Sequence, residues 1–221
     1  MRYLDRREAG RKLADALSDF ANSASVVLAL PRGGVVLGRE VADQLNIPLG
    51  LIIVKKIGHP KDPEYAIGAV AENGEPVYES KEISNIDERW LQQEVQKARQ
   101  IVNKRRQQYY KNGYEQPVIK NKTVILVDDG IATGLTMRAA VLAVKKRDPK
   151  RVIIATPVAS VESVSELREV TNKLIVLESP EYFSGSVGAH YKFFEQVDDE
   201  EVIELLQEGI DVTTKNPTKT L

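Results

Sequence analysis

The chain has 221 residues, 42% hydrophobic and 29% charged, which is enough for one sizeable core. A formal net charge of −1 argues against binding to nucleic acid or an anionic membrane, and no apolar run approaches the length of a membrane span. The absence of cysteine excludes disulfide bonds and thiolate chemistry, and the charged N-terminal segment is unlike a signal peptide, so we expect a cytoplasmic protein.

The spacing of apolar residues predicts helices that alternate with strands. In chain order the pattern predicts a helix at 4–20, a strand at 26–30, a helix at 35–45, a strand at 49–54, a loop at 58–63, a hairpin of 66–71 with 76–78, a helix at 86–110, a strand at 124–127, a helix at 133–146, a strand at 152–155, a helix at 161–170, a strand at 174–177 and a helix at 199–207. This alternation predicts an α/β fold with an open, mostly parallel sheet flanked by helices. We expect one domain over 1–210 and a disordered tail at 211–221.

The loop after the first predicted strand reads Pro31-Arg32-Gly33-Gly34. It joins a strand to a helix, so it is expected at the edge of the sheet where ligands bind in α/β proteins. Paired glycines let the backbone approach an anion closely, and Arg32 adds a positive charge. An ordinary strand-to-helix turn with an exposed arginine would have the same sequence.

Two lysines, Lys55 and Lys56, stand at the end of the second predicted strand, beside the loop that contains His59 and Lys61. The lysines favour an anion site, although a solvated basic loop would look alike. His59 could donate a proton to a leaving group, but a histidine in a loop is as often merely exposed.

The long predicted helix at 86–110 carries a group of basic residues, namely Lys97, Arg99, Lys104, Arg105 and Arg106. They could form a face for nucleic acid. Acidic residues balance the early part of the helix and the whole chain is slightly acidic, so we expect a solvated face and no nucleic-acid partner.

The segment Val124-Ile125-Leu126-Val127-Asp128-Asp129-Gly130-Ile131-Ala132-Thr133-Gly134-Leu135-Thr136 is the most informative of the chain. Four apolar residues predict a central strand covered on both faces, which places Asp128 and Asp129 at the ligand-binding edge. The residues after them offer backbone N–H groups, two hydroxyls and a helix N-terminus, which together can hold an anion. Carboxylates beside an anion cradle suit a sugar phosphate, whose vicinal hydroxyls can donate hydrogen bonds to the carboxylates.

Three of the four phenylalanines lie in the segment 179–195. Tyr182, Phe183 and Tyr191 could stack on a flat ring. A satellite hydrophobic cluster beneath a loop would have the same composition, so both interpretations stay open.

The segment 124–136 resembles the ribose-phosphate binding motif of the type I phosphoribosyltransferases. The pattern is four apolar residues, Asp-Asp, three variable residues, Thr-Gly, one variable residue and Thr, which chance would produce in roughly one window per million. A P-loop is less consistent because no Gly-Lys-Ser/Thr follows, and a phosphorelay receiver would carry its acidic pair after the first strand. The loops at 30–34 and 53–61 and the segment 179–194 resemble other parts of the same family, which extends the resemblance over nearly the whole chain.

The resemblance implies phosphoribosyl diphosphate as donor, Mg²⁺ as cofactor and a base-like acceptor. Asp128 and Asp129 would hold the ribose hydroxyls and lie near the metal, which is bound mainly through substrate and water. The residues implied for the 5′-phosphate are Gly130, Ile131, Ala132, Thr133, Gly134, Leu135 and Thr136, and those implied for the diphosphate are Arg32, Gly33, Gly34, Lys55 and Lys56. Asp128, Asp129, Lys56 and Arg32 are the candidate catalytic residues, and a closing lid would lie near 53–61.

The resemblance also implies a variable hood over the acceptor, here residues 179–195 with a contribution from 1–22, in which Tyr182, Phe183 and Tyr191 are the candidate acceptor-binding residues. The 6-oxopurine transferases have an acid where this chain has Ala132, which argues against hypoxanthine or guanine as acceptor. The pattern is most similar to stand-alone phosphoribosyltransferase-domain proteins of unassigned substrate. Dimers are common in the family, so the resemblance also implies a homodimer.

Two alternatives stay open at the level of sequence. A regulator could keep the donor site only to sense phosphoribosyl diphosphate, and a hydrolase or phosphorylase of ribose phosphates could use the same fold. The basic residues Arg32, Lys55 and Lys56 favour a transferase, since a pure sensor has no need to stabilise leaving pyrophosphate.

Overall fold

The computed structural model describes residues 3–111, 114–183 and 186–208. The helices are α1 (Arg6–Ala16), α2 (Gly33–Leu45), α3 (Ser80–Ile83), α4 (Glu88–Tyr109), α5 (Leu135–Lys145), α6 (Val161–Val170) and α7 (Asp199–Glu208). The strands are β1 (Ser25–Ala29), β2 (Leu49–Leu51), β3 (Val54–His59), β4 (Asp62–Ala71), β5 (Val77–Tyr78), β6 (Thr123–Val127), β7 (Arg151–Val158) and β8 (Lys173–Glu178). Short 3₁₀ helices lie at Ser18–Phe20 and Val187–His190. The predicted tail at 211–221 lies outside the described residues.

Five parallel strands form the main sheet in the order β2-β1-β6-β7-β8. Alternate residues of each central strand face opposite hydrophobic clusters, with Ile125 and Val127 on the side of α1, α2 and α7 and Val124 and Leu126 on the side of α5. Because both faces are covered, β1 and β6 are apolar after their first residue, from Val26 to Ala29 and from Val124 to Val127. The predicted α/β fold class with a mostly parallel sheet is confirmed.

The second sheet is antiparallel and small, in the order β3-β4-β5. One of its faces packs on α4 through Ile57, Ile67 and Val70, and the other packs through Ala69 and Ala71 in the cluster that contains α5. The predicted pairing of 66–71 with 76–78 is confirmed, with Gly68 opposite Tyr78.

Two predicted boundaries near this sheet are wrong. The predicted strand at 49–54 contains two strands of different sheets, because β2 ends at Leu51 and β3 begins at Val54. The predicted loop at 58–63 is mostly strand, since β3 continues to His59 and β4 starts at Asp62. The first boundary was missed because Ile52 and Ile53, which connect the two strands, are as apolar and buried as the strands themselves. The second was missed because Gly58, which resembles a loop residue, lies within β3 where its pairing with β4 is irregular.

Local signals fix the helix ends that matter for the site. The Asp5 carboxylate accepts a hydrogen bond from the Glu8 backbone N–H at 2.7 Å and begins α1. Gly134 has φ of 74° immediately before α5, a conformation that costs glycine nothing. In the part of the chain that the structure describes, no helix combines the length and the apolar character that crossing a membrane requires.

Candidate active site

The candidate site is a cavity of about 330 Å³ at the carboxyl edge of the main sheet. It opens between β1 and β6, where the chain leaves neighbouring strands toward helices on opposite faces, and open α/β sheets bind ligands at this point. The lining residues are Leu30, Pro31, Val54, Lys55, Lys56, Arg105, Asp128, Asp129, Gly130, Ile131, Ala132, Thr133, Gly134, Thr136 and Val187. A larger groove of about 810 Å³ along α4 contains none of the predicted site residues.

The two carboxylates that follow β6 have different surroundings. Asp128 Oδ1 accepts the backbone N–H of Asp129 at 2.9 Å, and the charge of Lys56 acts on Asp128 more strongly than that of Arg6. Asp129 Oδ2 accepts a hydrogen bond from Arg6 Nε at 2.8 Å, in an ion pair whose side chains are 16% and 11% exposed. Burial, reinforced by the charge of Asp129, raises the pKa of Asp128 well above its ordinary value. Burial also raises the pKa of Asp129, with Arg6 opposing the shift.

The β6–α5 loop (residues 128–134) is tied to the end of β7 and the start of α6. The Ile131 backbone donates to Val158 O at 2.9 Å and accepts from the Ser160 backbone at 3.0 Å. The hydroxyls of Ser160 and Ser163 each lie 2.8 Å from Ala132 O. These bonds fix the carbonyls of Ile131 and Ala132 in a loop whose residues all line the cavity.

The β1–α2 loop lies against the two carboxylates. The peptide bond between Pro31 and Arg32 is cis. A Cβ atom at Gly33 would lie 1.9 Å from Asp129 Oδ2, so only glycine fits beside that carboxylate. Pro31 lines the cavity, while the Arg32 side chain is half-buried near Tyr109 and is absent from the lining.

Lys55, Lys56 and Arg105 form the cationic side of the cavity. Lys55 and Lys56 lie in β3, and Arg105 comes from α4, where the sequence predicted only a solvated face. Among the described residues, none of the three has a carboxylate within ion-pair distance, whereas the next residue, Arg106, pairs with Glu72 at 3.4 Å.

His59 and Lys61 lie at the far end of the β3–β4 hairpin and do not line the cavity. The Lys61 backbone donates to His59 Nδ1 at 3.1 Å, and the His59 ring lies 6.4 Å from that of Tyr65. Any role in the site would therefore require the hairpin to move.

The three aromatic residues predicted to bind an acceptor occupy different environments. Tyr182 is 85% exposed, and Phe183 packs on the His190 ring at 4.9 Å. Tyr191 is fully buried, with its hydroxyl donating to Asp129 O at 2.6 Å. A ring with no exposed surface cannot stack on a ligand, so in this structure Tyr191 supports the Asp129 backbone instead.

Val187, in the short helix of the predicted hood, does reach the cavity. Its side chain closes over Gly130, where an added Cβ would lie 2.3 Å from Val187 Cγ1. The predicted hood and the β6–α5 loop are therefore in direct contact.

Sequence reasoning missed Arg6 and Arg105 at this site. Arg6 lies in the first helix, 123 positions before its partner Asp129, and no local pattern marks it. Arg105 could have been found only by knowing which face of α4 turns toward β3.

Within the described residues no cluster of three or more His, Cys, Asp or Glu side chains could hold a metal by itself. Asp128 and Asp129 nevertheless supply two adjacent carboxylates in a cavity that Lys55, Lys56 and Arg105 also line. Mg²⁺ is commonly bound by one or two carboxylates together with substrate phosphates and water, so this donor set fits a shared site.

Comparison with known proteins finds a protein family whose model matches most of the chain. A family model described as a phosphoribosyl transferase domain matches residues 3–192. The chain is 33% identical over 203 residues to a Mycobacterium tuberculosis protein provisionally named a phosphoribosyl transferase, covering 91% of this chain and 46% of that protein. The chain thus spans about half the length of that curated relative.

Solved structures also resemble the chain. The crystal structure of the TT1426 protein from Thermus thermophilus matches with a TM-score of 0.79 and 42% identity, covering 94% of this chain and 99% of that one. The AQ2163 protein of Aquifex aeolicus shares the fold at 15% identity and a TM-score of 0.50, covering 81% of this chain and 78% of that one.

Proposed function

Because the chain belongs to the phosphoribosyl transferase domain family, we propose that it transfers ribose 5-phosphate from phosphoribosyl diphosphate to a nitrogenous base or a related nucleophile, releasing pyrophosphate. The acceptor is bound on the side of Val187. Phosphoribosyl diphosphate carries two anionic groups on either side of a sugar with vicinal hydroxyls.

The observation that supports the proposal is that two carboxylates, the β6–α5 loop and three cationic side chains line one cavity. Asp128 and Asp129 line the same cavity as the end of the β6–α5 loop and the three cationic side chains. A donor bound across them would place its 5′-phosphate at Thr133, Gly134 and the start of α5, its ribose hydroxyls at the carboxylates, and its diphosphate near the lysines.

In this reaction the protein contributes mainly by positioning the substrates and by stabilising the charges that develop. The bond from ribose carbon 1 to the diphosphate oxygen breaks, its electron pair leaves with pyrophosphate, and the acceptor nucleophile forms the new bond to carbon 1. Positive charge develops on the sugar, and the adjacent carboxylates stabilise it electrostatically. Lys55, Lys56 and Arg105 stabilise the negative charge that accumulates on pyrophosphate.

Asp128 and Asp129 would share Mg²⁺ with the donor and water. When bound, the metal would neutralise part of the diphosphate charge. A nearby cation also favours the ionised form of both carboxylates, whose pKa values burial raises in the absence of substrate.

The acceptor class is narrowed by two features. Ala132 offers no carboxylate to a 6-oxopurine, and Val187 offers an apolar contact next to Gly130. Phe183 and Tyr182 stay candidates for contact with an acceptor, since neither is fully buried.

The test is pyrophosphate release from phosphoribosyl diphosphate and Mg²⁺ over a panel of bases. The double variant Asp128→Asn/Asp129→Asn should abolish release, while Asp19→Asn, an exposed carboxylate preceding β1 at the opposite edge, should leave it unchanged. Donor binding without release under any base would favour the sensing alternative, release without a base would favour a hydrolase, and no donor binding would overturn the proposal.

A further inference from the structure

Arg6 is the side chain that connects the N-terminal helix to the carboxylates of the site. Its Nε donates to Asp129 Oδ2 at 2.8 Å and its Nη1 donates to the Glu195 carbonyl at 2.7 Å. Its guanidinium carbon lies 3.7 Å from the centre of the Phe194 ring. Three contacts in three directions hold the group, which is only 11% exposed.

The same contacts leave Asp129 little freedom. Arg6 donates a hydrogen bond to Oδ2, and the Tyr191 hydroxyl donates one to the Asp129 carbonyl at 2.6 Å. Gly33 lies so close to the carboxylate that no side chain would fit at position 33. Among the described residues no other residue donates to Asp129 Oδ1, and Asp129 lines the cavity. Oδ2 is thus bound to Arg6, while Oδ1 has no donor from another described residue and belongs to a side chain that lines the cavity.

Asp128 is not held in this way. Its Oδ1 accepts a backbone N–H, and no cationic side chain in the described residues is hydrogen-bonded to it. The two adjacent carboxylates are therefore not equivalent, because only Asp129 is oriented by a buried charge pair.

We infer that Arg6 is a positioning residue, which orients Asp129 so that Oδ1 receives a ribose hydroxyl of the donor. The inference rests on the proposed function for the identity of the ligand, while the orientation of Asp129 can be tested without it. Arg6 also contacts residues 194 and 195, so it joins this carboxylate to the segment at the end of the predicted hood.

The experiment compares Arg6→Gln, Arg6→Lys and the control Arg7→Gln in the full chain. Arg7 is the next residue of the same helix, but its partner is Glu40 on α2 at 3.0 Å. Binding of phosphoribosyl diphosphate with Mg²⁺ is measured by calorimetry, and crystal structures of the ligand-free variants report the Asp129 side chain. Thermal unfolding identifies any variant that does not fold.

Arg6→Gln should weaken donor binding about 10- to 100-fold, because Asp129 loses the charged hydrogen bond that orients it. Arg6→Lys keeps the charge but cannot reach both Asp129 and Glu195, so it should recover part of the loss. Arg7→Gln should bind as the wild type does. If Arg6 acts through Asp129, the double variant Arg6→Gln/Asp129→Asn should bind no more weakly than Asp129→Asn alone.

In the crystal of Arg6→Gln, Asp129 should leave its wild-type orientation. An unchanged Asp129, or tighter donor binding by Arg6→Gln, would overturn the inference, the second because Arg6 would then compete with the donor. If Arg6→Gln does not fold, the Asp129 orientation in Arg6→Lys decides in the same way. A wild type that binds no donor would refute the proposed function, and the crystallographic comparison would still decide the positioning role.

Discussion

The β6–α5 loop and the cationic side chains Lys55, Lys56 and Arg105 line one cavity of about 330 Å³ and are held in different ways. The loop is held by backbone bonds to Val158 and Ser160 and by two serine hydroxyls behind Ala132. The cationic side consists of three long side chains, and among the described residues no carboxylate pairs with any of them.

The two regions therefore contribute different properties, the loop a fixed geometry and the long side chains a positive charge. A fixed loop of backbone donors selects the shape of an anion, whereas long cationic side chains follow an anion that moves. Under the proposed function this division suits the donor, because the 5′-phosphate stays on the ribose throughout while pyrophosphate must leave.

The largest effect should come from releasing the loop. Ser160→Ala/Ser163→Ala removes both hydroxyls near Ala132 O and the cap of α6, which should lower the free energy of unfolding by about 2–3 kcal/mol. Donor binding should weaken with it. Chemical denaturation measures the first and calorimetry the second, with Ser165→Ala on the exposed face of α6 as control. Equal stability of the double variant and this control would show that the loop does not depend on the serines.

The next effect tests the cationic side. Arg105→Gln should weaken donor binding about tenfold, equivalent to about 1.4 kcal/mol, without changing the unfolding temperature. Lys104→Gln removes the same charge from an exposed neighbour on α4 and should have little effect. If both variants lose affinity equally, Arg105 contributes only to the general charge of the helix.

An effect of similar size, on stability rather than on donor binding, should follow from Gly134→Ala. At φ of 74° a Cβ costs about 1–2 kcal/mol in backbone conformation, although the nearest atom, Ser163 Oγ, would be 3.5 Å away. Asparagine tolerates this conformation better, so Gly134→Asn should lose less stability in thermal unfolding. A loss that grows with side-chain size instead would point to crowding rather than conformation.

The smallest effect concerns Glu72, the buried partner of Arg106. Burial raises the pKa of Glu72 above its ordinary 4.5, against the opposing charges of Arg106 and Arg147. Because the pKa of Glu72 is raised in the folded state, protonated Glu72 favours the folded protein. This contribution to stability is complete below about pH 4.5 and is lost as pH rises through the pKa of the folded state. Glu72→Gln should therefore match the wild type at pH 4 and exceed its stability at pH 7, by less than about 1 kcal/mol.

Denaturation at both pH values measures this difference, with exposed Glu75→Gln as control. A Glu72→Gln variant that is less stable at pH 7 would show that the Arg106 ion pair outweighs the burial of the charge. Arg106 would also lose its partner, and donor binding by the same variant would report whether Arg106 then joins the cationic side.

Local sequence predicted the β6–α5 loop far better than the cationic side. Residues 128–134 are contiguous, so one motif carries both carboxylates and the anion loop, and the family resemblance drawn from it is confirmed by the match over 3–192. Arg105 reaches the cavity, and Arg6 reaches Asp129, only through the packing of α4 on β3 and of α1 on α2, which no local pattern encodes.

The misplaced strand boundary has a similar cause. Leu49 to Val54 is apolar or small throughout, because residues 49–51 lie in the main sheet and Ile52 and Ile53 are buried where the chain passes to the second sheet. Tyr191 was misjudged for a related reason. An aromatic residue near the ligand-binding edge can either stack on a ligand or lie in the core, and its residue type alone does not tell the two apart. Burial is what separates these two interpretations.

The cavity at the carboxyl edge of the main sheet is lined by three cationic side chains and two carboxylates. The formal net charge of the chain is only −1. The N-terminus of α5 opens onto the same cavity as Lys55, Lys56 and Arg105, and a helix N-terminus carries about half a positive charge. A polyanion approaching from this edge should be drawn in electrostatically, so its association rate should fall as ionic strength rises while its dissociation rate changes little.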